Sequence, residues 1–406
     1  MGFSGLFAIG VSGIQAQAAG LEAISNNIAN SQTTGYRQVT ASFSQLVTSA
    51  GRPGEIQTGP ARQGEGQGVQ ARLETDHHLQ GLIRRTDTGT HLAISGRGFF
   101  AVQDPSLAGT DDNVGNTLFT RAGDFEASAQ NLLVNGAGQT LLGVRLTDAG
   151  AVNGAGALGT LGGLAPVDLS VATGRGAATE AINLSGTLNT GGERSVQIFD
   201  ANGTARTLTA ALTRFDATTA AISLSDGQTE ITAGTLVFTA DGTPDLAAST
   251  VPATIDINGQ TVALNLSQVR NTGAATGFNI VQIGGAAFGT VTGFEIDGTG
   301  VLRATLSNGL SEPLYQIPLA VFTNAEGLTR ADDTAFRFDA SAGTLTLTTA
   351  NTNGAGLLEA RALENATVDI TQSFSRLIET QRAYAANAQI LSLTDELYET
   401  LNATAT

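Results

Sequence analysis

Both ends of this 406-residue chain carry apolar residues at a spacing of seven, and this pattern constrains the fold more than any other sequence feature. Such a repeat is typical of helices that pack along a seam. The sequence therefore predicts one helix at each end, with the two helices paired as a coiled coil. The predicted seam residues are Phe7, Ile14, Leu21 and Ile28 at the N-terminus and Leu363, Ile370, Leu377, Tyr384, Leu391 and Tyr398 at the C-terminus.

The long middle of the chain has a different pattern, in which turn dipeptides separate short alternating or β-branched runs. Asn-Gly and Asp-Gly favour the positive φ angles of tight hairpin turns. They begin at Asn135, Asn153, Asn202, Asp226, Asp241, Asn258, Asp297, Asn308 and Asn353. The runs between them include Ser195–Phe199, Arg206–Leu212, Ala220–Leu224, Thr254–Ile257, Thr261–Leu266 and Thr344–Thr348. Turn signals at such intervals predict β-sandwiches or β-barrels.

The simplest geometry brings the two ends together as a helical pair, with the β-structure inserted between them. A second arrangement, in which the terminal helices only pack on the β core, stays open. The narrow apolar stripes favour the first arrangement. Full burial of one Leu, Ile or Phe contributes roughly 1.5–3 kcal/mol, and a lone helix pair realises only part of this. We therefore expect the pair to need further neighbours.

The composition excludes several chemistries. All 20 basic residues are arginine, and the chain has no Lys, Cys or Trp. This leaves no residue for a Schiff base, a thiol nucleophile, a disulfide or a cysteine metal site. The net charge of −16 argues against a non-specific nucleic-acid binder.

Three histidines, His77, His78 and His91, are the remaining candidates for a metal site. Adjacent residues of a strand point to opposite faces, so His77 and His78 do not easily share one metal. We expect a surface or interface role for them, with no metal, no cofactor and no catalytic residue.

The N-terminus superficially resembles a secretory signal, with Ala16-Gln17-Ala18 as a cleavage-like site. The first side-chain cation is Arg37, so the positive region that such signals require is missing. No stretch reaches the ~18 apolar residues of a membrane span. We therefore expect neither a cleaved signal peptide nor a membrane span.

Five segments resemble the flagellar rod and hook axial protein family. They are Ser25–Asn30 (SNNIAN), Thr33–Tyr36 (TTGY), Ile94–Val102 (ISGRGFFAV), Thr120–Phe125 (TRAGDF) and Gln381–Asn387 (QRAYAAN). Within the family, the chain length and the segments Ser307–Gly309 and Leu319–Phe322 are similar to those of the hook members. The resemblance is strong at both ends and faint in the middle.

This resemblance implies a mainly β fold with a helical inner domain and two β-domains. The implied domains are 1–33 with 366–406 (helical inner domain), 34–72 with 355–365 (linker region), 73–145 with 285–354 (first β-domain) and 146–284 (outer β-domain inserted into the first). It further implies an extracellular subunit of the hook that assembles into a curved tube and transmits torque from rod to filament.

The resemblance also implies a set of partners. They are further copies of the chain, the distal rod protein, the hook cap protein, the hook–filament junction protein and the flagellar type III export apparatus. Export through that apparatus requires no cleaved signal, which is consistent with the N-terminal pattern.

Three alternatives remain at this point. Another axial flagellar protein of the distal rod type would share the terminal helices. An extracellular β-rich adhesin would suit the Gly-rich, acidic composition, but it has no reason to carry matching amphipathic ends. A carbohydrate-active β-enzyme would need a pair of carboxylates in a cleft. Aromatic residues make up only 5% of the chain, which disfavours sugar binding.

Overall fold

A computed structural model describes residues 3–47, 66–104, 116–153, 157–188, 191–227, 229–272, 277–332 and 334–404. Helix α1 spans Phe3–Ala29 and helix α2 spans Ile370–Thr404. Almost all of the regular structure between them is β-strand. The predicted fold class, mainly β with a helix at each end, is therefore confirmed.

The strands of the described residues are numbered in chain order. The first fifteen are β1 (Val39–Val47), β2 (Gly66–Thr75), β3 (Ile83–Arg85), β4 (Leu92–Ser95), β5 (Phe99–Gln103), β6 (Thr117–Thr120), β7 (Glu126–Ala127), β8 (Leu133–Val134), β9 (Thr140–Arg145), β10 (Ala165–Pro166), β11 (Arg175–Ala177), β12 (Ala181–Thr187), β13 (Gly191–Phe199), β14 (Ala205–Arg214) and β15 (Thr219–Asp226). The others are β16 (Thr229–Phe238), β17 (Pro244–Asp245), β18 (Thr254–Ile257), β19 (Gln260–Arg270), β20 (Phe278–Ile283), β21 (Ala286–Gly289), β22 (Val291–Ile296), β23 (Val301–Leu306), β24 (Ser311–Gln316), β25 (Leu319–Phe322), β26 (Thr329–Arg330), β27 (Ala335–Arg337), β28 (Leu345–Thr348), β29 (Leu357–Ala360) and β30 (Ala362–Glu364). Short 3-10 helices lie at Ala157–Gly159, Leu161–Gly163, Leu169–Val171, Ala325–Gly327 and Ala340–Ala342.

Five of the six predicted runs lie within strands, and the sixth, Thr344–Thr348, lies in β28 except for its first residue. Several turn dipeptides act as expected. Asn258 and Gly259 both have positive φ, 55° and 86°, and they connect the antiparallel strands β18 and β19. A two-residue loop with both φ angles positive is the turn that Asn-Gly favours.

The chain divides into two compact units. The first comprises Met1–Ser170, Glu295–Leu302 and Pro313–Thr406. The second comprises Val171–Phe294 and Arg303–Glu312. The sequence placed the start of an outer domain at residue 146. Residues 146–170 group with the first unit because β10 pairs with β9 and Leu164 is buried in the same core as Val144.

The first unit contains both helices and an antiparallel sheet with the path β24-β9-β5-β6-β27-β26. β25 adds to β5 and pairs with β28 on its other side. Phenylalanines dominate the core on this sheet, and several meet edge to face, such as Phe119 and Phe322 at 4.9 Å between ring centroids. Two small antiparallel pairs, β3–β30 and β4–β29, place the chain that leads to α2 beside residues 83–95.

The second unit has two sheets that share one apolar core. One sheet has the order β13-β14-β15-β16-β17 and the other β18-β19-β12-β20. Buried and exposed residues alternate along β14 and β19, which is the pattern of strands with one face in a core. The strands pair in antiparallel fashion except β12 and β19, which run parallel. The core combines residues of both sheets, such as Leu212 and Leu264.

Candidate assembly surface

The two terminal helices contact each other through small residues of α1. Among residues 7–29 of α1, the buried positions are Gly10, Gly13, Ala16, Gly20, Ala23 and Asn27, at spacings of three and four. A Cβ at Gly10 would lie 3.7 Å from Leu391 Cδ1, and one at Gly13 would lie 3.0 Å from Asn387 Nδ2. Along this contact the residue numbers of α1 rise while those of α2 fall, so the two helices are antiparallel. We call these six residues of α1 the small-residue ridge.

The predicted seam residues of α1 lie directly beside this ridge. Ile14, Leu21 and Ile28 each follow a ridge residue, and one residue turns a helix by about 100°. The large seam residues lie beside the ridge and not on it because the two helix backbones approach each other closely at the ridge. Glycine and alanine leave the space for this approach, which large side chains would fill. Among the ten predicted residues, Ile14, Leu21, Ile28, Leu377 and Leu391 are half-buried, and Phe7, Ile370 and Tyr384 are exposed. The side chain of Tyr398 lies outside the described residues.

The assignment of Leu363 to the C-terminal helix is wrong. Leu363 is buried in β30, where it pairs with Arg84 of β3. The helix begins only at Ile370, because Asp369 caps it: the Gln372 amide donates to Asp369 Oδ1 at 3.1 Å. The seven-residue spacing continued by coincidence across a strand and a turn.

The helical pair exposes many large apolar side chains. Leu393 is the most exposed of these, at 59%. The others are Phe7 and Ile9 of α1 and Ile370, Phe374, Ile378, Tyr384, Ile390 and Leu397 of α2. Isolated apolar side chains on a surface are ordinary, but a concentration of this kind on two paired helices is a candidate interaction site. We call these nine residues the apolar arm surface.

The antiparallel strands β1 and β2 lie against α1. Ser12 Oγ accepts a hydrogen bond from the Val69 amide at 3.2 Å. Gly68, at φ +126°, meets the same hydroxyl so closely that a Cβ there would lie 2.2 Å from it. Phe43 of β1 passes over Gly20 and remains about half exposed.

Asn27 fixes the point at which the chain leaves α1. Its side-chain amide donates to the Val39 carbonyl at 2.7 Å, and its Oδ1 accepts from the Val39 amide at 2.9 Å. The same oxygen accepts from the Tyr36 hydroxyl at 3.1 Å. The helix ends at Ala29, and Gly35 lies in the following turn at φ +69°.

The three histidines have different environments. His77 is only 7% exposed, and its ring packs edge-on against Phe336 at 4.6 Å and Phe99 at 5.6 Å. Of the expected surface or interface role, a surface position is wrong for His77, because the core around β5 and β27 accommodates its ring; an interface role stays a prediction. The pKa of His77 is lowered from 6.5 to about 4, mainly by burial and to a smaller extent by the neighbouring charges of Arg37 and Arg121. His78 is exposed, with its Nε2 3.7 Å from a Glu326 oxygen.

His91 is half-buried, and its Nδ1 lies 3.1 Å from Thr86 Oγ1. Across the described ranges, no three or more His, Asp or Glu side chains group in a way that could hold a metal ion. Over those same ranges, no helix combines the length and apolar character that a membrane crossing requires.

Sequence reasoning missed two features. The small-residue ridge had a signal, because Gly10, Gly13 and Gly20 recur at helical spacing. The buried charges of Arg37, Arg121 and Glu364 had none, because they are far apart in the chain and meet only through the fold.

Three family models match the chain. "Flagella basal body rod protein" matches residues 7–37, "Flagellar hook protein FlgE/F/G D1 domain" matches 93–189, and "Flagellar basal body rod FlgEFG protein C-terminal" matches 359–404. Two of these matches cover the helical ends, and the third covers part of the sheet. They define the class as the axial proteins of the flagellar rod and hook.

Curated relatives identify the family within this class. The flagellar hook protein FlgE of Brucella suis is 32% identical over 99% of both chains. The FlgE proteins of Escherichia coli and Salmonella typhimurium are 31% and 28% identical, over 97% of this chain and 98% of theirs. The crystal structure of Helicobacter pylori flagellar hook protein FlgE2 matches with a TM-score of 0.45 and 14% identity, over 70% of this chain and 100% of that one. The chain belongs to the flagellar hook protein family, which confirms the resemblance found in the sequence.

Proposed function

We propose that the chain is the structural subunit of the flagellar hook and assembles with its own copies into a flexible curved tube. The tube transmits torque from rod to filament. The apolar arm surface is the observation that carries this proposal. An antiparallel helical pair with so many large apolar side chains in water gains stability when neighbouring copies cover them.

Assembly repeats the same burial of apolar side chains in every subunit. Each large apolar side chain contributes roughly 1.5–3 kcal/mol when it passes from full exposure to full burial. The members of the apolar arm surface are about half exposed, so each retains a sizeable part of that gain for assembly. The small-residue ridge is already covered within the chain, which leaves the outward side chains for contacts between subunits. The ten seam residues predicted from the sequence, Leu363 excepted, belong to this interface in our proposal.

The chain acts here as a structural protein and not as an enzyme. We place it in the extracellular hook, exported by the flagellar type III apparatus without a cleaved signal. Its neighbours are the distal rod protein at one end and the hook–filament junction protein at the other, with the hook cap protein present during growth.

The test places a charge in the apolar arm surface. Leu393→Asp introduces a carboxylate that assembly would have to bury without a partner, which is costly. Gln389→Asp adds the same charge to an exposed polar position on the same helix. Sedimentation and electron microscopy measure polymer formation, and thermal unfolding measures the β-units.

We expect Leu393→Asp to abolish polymers with unchanged unfolding of the monomer, and Gln389→Asp to polymerise as the unmodified chain does. Normal polymers of Leu393→Asp would refute the assignment of this surface to assembly.

A further inference from the structure

A buried cluster of three charges lies where both helices join the β-structure of the first unit. Glu364 is 1% exposed, Arg37 1% and Arg121 3%. Arg37 Nη2 lies 2.9 Å from Glu364 Oε1, and Arg121 Nη1 lies 3.2 Å from Glu364 Oε2. We call these three residues the basal cluster.

The basal cluster joins three parts of the chain. Arg37 follows α1, Glu364 is the last residue of β30 before α2, and Arg121 follows strand β6 of the sheet. Arg121 also donates to the carbonyls of Ile94 and Gly96, at 3.2 and 2.6 Å, and is thereby fixed to the β4 region. The chain that leaves α1 and the chain that leads to α2 therefore meet Arg121 in one ion-paired cluster.

Backbone hydrogen bonds reinforce this junction. The Gly35 amide donates to the Glu364 carbonyl at 2.8 Å, and the Thr367 amide donates to the Tyr36 carbonyl at 3.1 Å. The Gly81 amide donates to Glu364 Oε1 at 2.9 Å. A Cβ at Gly35 would lie 2.3 Å from the Ala122 amide nitrogen, so the chain passes here in direct contact with the sheet.

The electrostatics of the cluster make Glu364 its central residue. Burial lowers the pKa of Arg121 to about 10, and the charge of Glu364 opposes this shift. Burial likewise lowers the pKa of Arg37, with Glu364 again opposing. Loss of one partner from a buried ion pair is strongly destabilising because it leaves an uncompensated charge. Both guanidinium groups depend on this one carboxylate.

We propose that the basal cluster is a rigid electrostatic joint that holds the bases of both helices to the sheet of the first unit. The segments flanking the helices, expected from the sequence to be linkers, act as a fixed connection. Tyr36, Arg37 and Glu364 are all buried, as is expected of a packed junction and not of a flexible linker. The joint transmits force applied at the helices into the β-structure. That mechanical consequence rests on the proposed hook function, whereas the joint itself can be tested in the monomer.

The test uses Glu364→Gln, which removes the charge but keeps the size and the hydrogen-bonding oxygen. The matched control is Glu295→Gln, because Glu295 forms a pair of similar length with Arg361 at 3.1 Å, with both side chains about half exposed. Hydrogen exchange of the full-length monomer is measured at the amides of Gly35, Gly81 and Thr367. Amides of β9 and β28 report on the rest of the unit.

We expect Glu364→Gln to accelerate exchange at the three junction amides on the order of 100-fold, with a much smaller change in β9 and β28. Glu295→Gln should leave all of them within a factor of about three, since exposed pairs contribute little. Arg37→Met provides a second comparison if Glu364→Gln does not fold, because it keeps the pair between Arg121 and Glu364. It should accelerate exchange at Gly35 more than in β9.

Three results would overturn the joint. They are junction amides that exchange freely in the unmodified monomer, no acceleration in the variants, and equal acceleration in the junction and in β9 and β28. A motility defect in cells that still assemble hooks with Glu364→Gln would connect the joint to torque. If the monomer shows the joint but the chain does not assemble into tubes, the hook function is refuted and the joint still stands.

Discussion

Replacement of His77 by Phe is expected to remove a pH dependence from the stability of the first unit. The imidazole lies between Phe99 and Phe336, and its Nδ1 is buried without a hydrogen-bond partner. The charged and titratable groups near the imidazole are Arg37, Arg121, Asp76 and His78. In addition, Glu326 accepts a hydrogen bond from the backbone amide of His77. Phenylalanine keeps an aromatic ring in this position and does not titrate.

The sign of this pH dependence follows from the direction in which the pKa of His77 is shifted. The unfolded chain binds a proton at His77 below pH 6.5, whereas the folded chain binds it only below about pH 4. Between these values the unfolded state holds more protons, so the free energy of unfolding rises with pH and is lost on acidification. At about 1.4 kcal/mol for each pH unit, this residue contributes about 3 kcal/mol, fully present above pH 6.5 and lost by about pH 4.

Tyrosine fluorescence during urea unfolding is the appropriate assay. The chain has four Tyr and no Trp, and Tyr36, Tyr315, Tyr384 and Tyr398 all belong to the first unit. Unfolding free energies are compared between pH 4 and pH 7 for the unmodified chain, His77→Phe and the control His78→Gln. His78 is exposed, so its replacement should change the pH dependence much less than His77→Phe does.

We expect His77→Phe to lose about 3 kcal/mol of the difference between the two pH values. An unchanged difference in His77→Phe, or an equal loss in His78→Gln, would refute the buried neutral imidazole.

Two further predictions concern the helices. Gly13→Leu should weaken the contact between α1 and α2 by about 1–3 kcal/mol, because a Cβ there already meets Asn387 at 3.0 Å. Faster proteolysis of α1 would reveal this weakening. Gly10→Ala places its new Cβ at an ordinary 3.7 Å from Leu391, so it should be neutral or stabilising. Equal effects of the two substitutions would contradict the small-residue ridge. Asp369→Ala should cost α2 about 0.5–2 kcal/mol through loss of its cap, measured by circular dichroism, while unchanged helix stability would contradict the capping role.

Local patterns in the sequence predicted the fold class well. Period-two runs such as Thr254–Ile257 became strands because their apolar faces line a core, and Asn258-Gly259 formed the expected turn. The seven-residue spacing predicted both helices but not their contact. Large residues dominate such a pattern, whereas the closest of the glycine contacts with α2 is made by Gly13, which has no side chain.

Features that depend on distant parts of the chain could not be predicted. Leu363 continued the helical spacing, yet its pairing with residue 84 made it a strand residue. The ion pair of Arg121 and Glu364 joins positions 243 apart, and no local pattern indicates such a contact. His77 became buried because Phe99 and Phe336, from two different strands, form its pocket.

Electron microscopy of the purified chain under polymerising conditions shows what the chain assembles into without any partner. We expect short curved tubes from the unmodified chain and none from Leu393→Asp under the same conditions. Amorphous aggregates or monomers from the unmodified chain, or tubes that form equally well from Leu393→Asp, would contradict this expectation.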